Sequence, residues 1–461
     1  MSETPVVTRR EVVKMAGAAT AVAALSRVTA PGIQKVRAAN SQVNYAFIGV
    51  GSRGTYLLKH LSKIDAGRCV ALCDIYEPNL KKAAESVGYK TDSYKDYREL
   101  LARKDVDAVY VATPLNAHFP VTRDVLLAGK HVFCEKSLVF RPEEIHALRA
   151  LHNERPKQVI QTGLQRRYSS FYRVAKQMVD KGMLGNVTHV RAQWHRNGSG
   201  RRPVKDPSLD RQINWRFYRE FSGGLTAELA SHQIDVADWM FGMAPEYVTG
   251  IGGIDAYKDG RDTFDNIQLL YRYPKGQKLI YSSISTNGHL DFSETIMGTG
   301  GTIVITVGDD TNPANGMWFR EPNAPKVEKA GKSKENWTAG ATVSSSTTQK
   351  GFPLLLPEDV QDPNDSFLRR EMKFARRWLY SKGVMMPEES RNPVDVELED
   401  FLFCARDGKQ PKADIDVGLM DSTGVILSNL AMDEGRRVYY NEIEKMGRGT
   451  ETKPKPQGTK S

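Results

Sequence analysis

A chain of 461 residues with 40% hydrophobic content is long enough for two or three domains with ordinary cores. Its formal charge of +10 sits largely at the ends, where residues 1–39 carry +4 and residues 447–461 carry +3, leaving +3 between them. That remainder is too small to argue for a nucleic-acid partner, and no apolar run reaches the ~20 residues of a membrane-spanning helix.

The N-terminal segment Thr8-Arg9-Arg10-Glu11-Val12-Val13-Lys14 precedes an alanine-rich apolar stretch, residues 15–25. It resembles a twin-arginine export signal, with Val36-Arg37-Ala38 as a small-residue cleavage region. Residues 1–39 are therefore expected to be a signal peptide, and the protein to be periplasmic or otherwise extracytoplasmic. The twin-arginine route carries folded proteins, which allows a cofactor to be loaded before export.

Residues 43–50 form a mostly apolar strand that runs into Gly49-Val50-Gly51-Ser52-Arg53-Gly54, and a helical pattern follows through Leu57, Leu58 and Leu61. Further strands are predicted at residues 69–73, 107–112 and 131–134, with a helix around residues 79–87. Apolar strands alternating with amphipathic helices predict an α/β domain with a parallel, doubly wound sheet covered on both faces, over residues 42–162. Cys69, Cys73, Cys134 and Cys404 form no CxxC pair, which argues against a metal site and for free buried thiols. An oxidising compartment would permit a disulfide.

The GxGxxG pattern follows a strand, opens a helix and precedes Asp74 by 20 positions. Glycines there allow a tight turn and close approach of a pyrophosphate to the helix N-terminus. Asp74 would accept hydrogen bonds from the adenosine ribose and repel a 2′-phosphate, favouring NAD over NADP. Arg53, inside the loop, works in the opposite direction by offering a counter-charge.

The strings GVGSRG, CDIYEP, VATPLNAH, KHVFCEKSL and GGLTAELASHQIDVADW occur in the order and spacing of the Gfo/Idh/MocA oxidoreductase family, which the chain resembles over residues 42–305. A weaker echo lies in LMDSTGVILSNLAMDEGRR. The resemblance implies a Rossmann domain followed, over residues 163–446, by an α/β domain with a large, mostly antiparallel sheet. It also implies a sugar, inositol or related polyol bound between that sheet and the nicotinamide.

Glu135 and Lys136 follow a strand at the carboxyl edge of the sheet, where such folds bind ligands. In the family the lysine lies near the reacting hydroxyl and a proline follows it; here Ser137 stands in that place, removing a fixed φ and a ready route to a cis bond. Glu228 and His232 are spaced i, i+4, which on an α-helix puts them on one face as an acid/base device. Thr113, Pro114 and Asn116 end a strand facing the cofactor, and His118 either caps the next helix or touches the cofactor. Gln165, Arg166, Arg167 and Tyr168 open the second domain where the family places substrate. The two arginines suit a hydroxyl-rich or anionic ligand, or pair with surface carboxylates. His195 follows a strand near the implied sugar pocket, while Trp194 and Trp215 read as core.

Later in the chain, residues 265–273, 277–284 and 294–305 alternate as antiparallel strands, residues 308–362 read as a long loop, and residues 365–380 and 418–437 as helices. Residues 447–461 read as a solvated tail. An open sheet face implies a homodimer or tetramer.

The expected function is hydride transfer between NAD and a carbinol carbon, with His232 as proton acceptor, Lys136 assisting and the cofactor tightly bound. A closed redox cycle is an alternative, as in sugar–sugar oxidoreductases or in glycosidases that oxidise, eliminate, hydrate and reduce. A nonenzymatic sugar- or nucleotide-binding protein is a third reading, against which the set Lys136, Glu228 and His232 argues.

Overall fold

The structure, a computed structural model, describes residues 42–306, 315–321, 351–353 and 391–446. The expected export signal, the helix expected at residues 365–380, the expected C-terminal tail and much of the expected loop at 308–362 lie outside these residues.

The first sheet has six parallel strands in the order β3-β2-β1-β4-β5-β6. They are β1 Val43–Ile48, β2 Gly67–Cys73, β3 Asp92–Tyr94, β4 Ala108–Val111, β5 His131–Cys134 and β6 Ile160–Thr162. Helices α1 Ser52–Leu61, α2 Glu77–Val87, α3 His118–Leu127 and α4 Pro142–Glu154 connect them. The chain runs outward from β1 in both directions, so a crevice opens at the carboxyl ends of β1 and β4. One face of the sheet is aromatic: Phe47 stacks on Tyr110 with ring centroids 5.0 Å apart, and Phe401 meets Tyr110 edge-on at 5.1 Å. All four cysteines are buried and free.

Among the described residues the second sheet has nine strands in the order β14-β13-β12-β11-β7-β10-β9-β8-β15, with β9 Asn266–Arg272, β8 Tyr247–Gly253 and β15 Val438–Tyr439 towards one edge. Neighbours are antiparallel except β7 Val187–His195 and β10 Lys278–Ile284, which run parallel. Residues 294–305, expected as one strand, are instead a hairpin of β11 Phe292–Gly298 and β12 Gly301–Thr306. The turn at Thr299-Gly300 interrupts an otherwise continuous apolar alternation. The expected loop at 308–362 contains β13 Asn315–Arg320, which buries Trp318, and the short β14 Gly351–Pro353. One face of the large sheet is covered by α5 Ser231–Phe241; the other leaves Ile251, Leu270 and Ile280 exposed.

Two C-terminal helices tie the domains together. The first, α6 Pro393–Asp407, sends Phe401 into the aromatic face of the first sheet and accepts a hydrogen bond from Tyr110 Oη at the Leu398 carbonyl, 3.3 Å away. The second, α7 Ile415–Glu434, contains Gly418, where a Cβ would lie 2.0 Å from Thr162 Oγ1. Only hydrogen at that position lets the helix approach β6 so closely.

Candidate active site

The glycine-rich loop has the geometry its sequence requires. Gly49 sits at φ +88°, and a Cβ there would lie 2.7 Å from the Ala112 backbone. A Cβ on Gly54 would lie 2.1 Å from the Gly49 carbonyl oxygen, so the first and third glycines permit the tight turn and close strand–helix packing. Gly51 differs: its Cβ would meet only Asn79 Nδ2, at 3.7 Å, which leaves room for a phosphate beside the backbone. Asp74, just after β2, accepts from Val50 N and Tyr76 N, both at 2.8 Å. These bonds fix its carboxylate against the loop and leave lone pairs for a ribose. The Thr113 hydroxyl is buried without a partner at the end of β4. These residues fit NAD. Asp74→Ala is expected to weaken NAD by about tenfold and NADP by less, read from paired fluorescence titrations; an unchanged ratio of the two affinities would count against the ribose role.

Arg53 is not available as a counter-charge for a 2′-phosphate. Its Nε donates to Glu135 Oε1 at 2.6 Å and its Nη2 to Gln165 Oε1 at 2.8 Å. Glu135 and Gln165 thus hold a loop arginine across the domain junction instead of offering free groups to cofactor or substrate. His118, at the start of α3, is buried, with Nδ1 2.7 Å from the Ser137 carbonyl and Nε2 3.1 Å from that of Thr113. Burial lowers its pKa, and it joins the loops carrying Thr113 and Lys136. Pro114 and Asn116 lie between, with Asn116 N donating to Phe221 O at 3.2 Å. The Lys136–Ser137 peptide is cis although no proline follows Lys136.

Lys136 Nζ donates to the carbonyls of Ala227 at 2.6 Å and Glu228 at 2.8 Å. An ammonium has three donors, so one remains beyond these two bonds. Burial lowers its pKa, opposed by the carboxylates of Glu228 and Glu135. Glu228 lies in a single π-helical turn, Thr226–Ala230, that precedes α5. The wider i→i+5 turn breaks the expected α-helical alignment with His232. Glu228 Oε2 accepts instead from Arg216 Nε at 2.7 Å. Burial works to raise the Glu228 pKa, but Arg216 and Lys136 hold it below the ordinary value. The pairing of Glu228 with His232 expected from their spacing is therefore replaced by one with Arg216, which local spacing does not signal.

His232 is 8% exposed, and its Nδ1 is buried without a hydrogen-bond partner. Its pKa falls well below 6.5, first through burial and then through the charges of Lys136, Arg166 and Arg53. The ring is neutral at physiological pH and lies 6.3 Å from the Trp194 ring. Trp194 stacks on Phe292 at 4.7 Å and lines the same face.

The other residues expected at the substrate are engaged elsewhere. Arg166 is buried in an ion pair with Glu294, which also accepts from Tyr172 Oη. Arg167 makes a forked pair with buried Asp235, at 2.7 to 3.1 Å. Both arginines therefore pair with carboxylates, but in the interior instead of on the surface. Tyr168 is buried against Leu164 and Ala413. His195 follows Trp194 by one residue, so strand alternation turns it to the opposite face of the sheet. There its ring nitrogens meet His289 O at 2.9 Å and Ser282 Oγ at 2.7 Å.

Comparison with known proteins agrees with this architecture. A family model described as an oxidoreductase family with an NAD-binding Rossmann fold matches residues 43–163, and the GFO/IDH/MocA C-terminal domain model matches residues 172–304. The myo-inositol 2-dehydrogenase of Thermotoga maritima is 30% identical over 207 residues, 45% of this chain and 57% of that protein. The inositol 2-dehydrogenase of Gluconacetobacter diazotrophicus is 35% identical over 151 residues, 32% of this chain and 44% of that one. The chain thus spans about half the length of the curated relatives it matches. Two solved structures share the fold at low identity. The aldose–aldose oxidoreductase of Caulobacter crescentus has a TM-score of 0.62 and 21% identity, covering 86% of this chain and 99% of that one. The scyllo-inositol dehydrogenase of Lactobacillus casei, solved with NAD(H) and scyllo-inositol, has a TM-score of 0.61 and 19% identity, covering 87% and 99%. Two successive family models cover more than half of the residues, and the chain belongs to the Gfo/Idh/MocA oxidoreductase family.

Proposed function

We propose that the protein oxidises, and in reverse re-forms, a secondary hydroxyl of a cyclic polyol or sugar with NAD. The observation that carries this reading is that Lys136 is bonded to the Ala227 and Glu228 carbonyls, in the turn that leads into the helix carrying His232, at the carboxyl edge of a fold suited to NAD. Lys136 is an ammonium with a donor to spare. His232 is a buried neutral imidazole that the ammonium's charge helps to keep neutral. NAD, when bound, supplies the hydride acceptor. Lys136 donates to the substrate oxygen and stabilises it as its proton departs. His232 accepts that proton. The cations around His232 oppose a lasting imidazolium, which favours passing the proton onward and keeps the base ready for the next turnover. The inositol dehydrogenases among the relatives support a polyol substrate.

The test is NADH formation by the purified protein with NAD and a panel of inositols, aldoses and anhydro sugars. Turnover of at least one cyclic polyol is expected. NAD binding without turnover of any panel member would favour a binding protein and defeat this reading.

Two further features accompany the proposal. The Arg9-Arg10 motif and the apolar stretch after it support export with NAD already loaded. Fractionation should place the tagged protein outside the cytoplasm, and Arg9→Lys/Arg10→Lys should retain it inside. The exposed Leu270 and Ile280, which face each other across β9 and β10, support a homo-oligomer; a monomeric mass by light scattering would reject it.

A further inference from the structure

The second domain reaches back over the glycine-rich loop. Arg202, in the segment after β7, donates from Nη2 to Ser52 Oγ at 2.6 Å, and Ser52 is the first residue of α1. Exposed arginines usually roam, but this one is anchored at its backbone. Its N–H donates to Asn214 Oδ1 at 2.9 Å, and Asn214 Nδ2 donates back to the Arg202 carbonyl at 3.0 Å. Asn214 is itself only 2% exposed. The preceding Arg201 pairs with Asp210 and donates to Tyr218 Oη at 3.0 Å. Arg261 packs over Phe217 at 4.4 Å and donates to the Ser199 carbonyl at 3.2 Å. Arg201 and Arg261 are neutralised by Asp210 and Asp259. Among the described residues no carboxylate pairs with Arg202, whose guanidinium donates instead to a hydroxyl of the phosphate-binding loop.

We propose that Arg202 is an inter-domain clasp on the pyrophosphate of the cofactor. The inference rests on the NAD reading above and adds how the cofactor is kept. A guanidinium retains donors beyond the one given to Ser52 and matches phosphate oxygens in a fork. Gly51 leaves the space beside the loop open for those oxygens. Because the clasp belongs to the second domain, release requires residues 196–214 to lift from α1. Dissociation of the whole dinucleotide is thereby slowed, independently of contacts to its adenosine.

The test compares release of NAD, ADP and adenosine from wild type, Arg202→Ala and Arg202→Lys, at low and high salt. Arg202→Ala is expected to release NAD and ADP about tenfold faster at low salt and adenosine at the wild-type rate. Arg202→Lys, which keeps the charge but not the fork, should fall between. Equal NAD release from wild type and Arg202→Ala overturns the clasp while leaving the NAD reading intact. So does adenosine release accelerated by the same factor, which would indicate a disordered loop instead of a lost phosphate contact. A wild type that binds none of the three overturns both.

Discussion

Lys136→Met is expected to lower kcat by about a thousandfold, within the range for removal of a positioned proton-transfer or charge-stabilising group. Methionine is close to lysine in length and apolar, so it suits the buried stem and removes only the charge and its donors. The Ala227 and Glu228 carbonyls lose their bonds to Nζ, which adds a modest loss of stability. A second readout separates chemistry from structure. His232 is held well below 6.5 by burial and by Lys136, Arg166 and Arg53. Removing the Lys136 cation relieves part of that repulsion, so the His232 pKa rises. The acid limb of the kcat/KM profile should therefore move to higher pH, towards 6.5. His232→Asn, by contrast, should cost about a hundredfold and abolish that limb. If Lys136→Met stays within tenfold of wild type, Lys136 does not assist the proton transfer. If it loses activity with an unmoved limb and a lowered melting temperature, its role is structural.

What was legible in the sequence was local. The strand, glycine turn and helix around Gly49, Gly51 and Gly54 form one continuous segment, and Asp74 and Lys136 each end a strand whose apolar run declares it. What was not legible depends on partners brought in from far along the chain. Arg166 meets Glu294 across 128 positions and Arg202 meets Ser52 across 150. No spacing rule announces such pairs: the sequence offers Arg166 either a substrate or a surface carboxylate as partner, and singles out nothing about Arg202. The Glu228–His232 spacing misled for a different reason: one extra residue in a π-helical turn changes which side chains share a face. His195 was misplaced by the parity of its strand, since the site-facing side belongs to Trp194. Helix α6 had readable signals that the hydrophobic pattern overshadowed. Asn392 caps its start by accepting from Val394 N, Pro393 takes the first turn, and Gly408 closes it in the left-handed conformation.

Glu294→Gln is expected to destabilise the second domain by about 3–5 kcal/mol, the usual cost of leaving one member of a buried ion pair alone. Glu294 is fully buried and Arg166 is 5% exposed, so water cannot replace the lost partner. The guanidinium cannot shed its proton at accessible pH, so the loss should hold from neutral to mildly acidic pH, for as long as Glu294 stays ionised in the wild type. The reciprocal variant, Arg166→Met, behaves differently. It leaves a carboxyl that burial drives above its ordinary value of about 4.3. The folded state then binds a proton that the unfolded state releases near neutrality, so the destabilisation shrinks as pH falls towards that value. Replacing both partners, Arg166→Met with Glu294→Leu, should recover much of the stability by leaving neither charge buried. Urea midpoints at neutral and mildly acidic pH distinguish these cases. Equal losses for both single variants at both pH values would show that the pair is held in water after all. The same measurements bear on catalysis, because Arg166 is one of the charges that keep His232 neutral. Stripped of Glu294, it should press the imidazole pKa lower still, moving the acid limb of activity opposite to Lys136→Met.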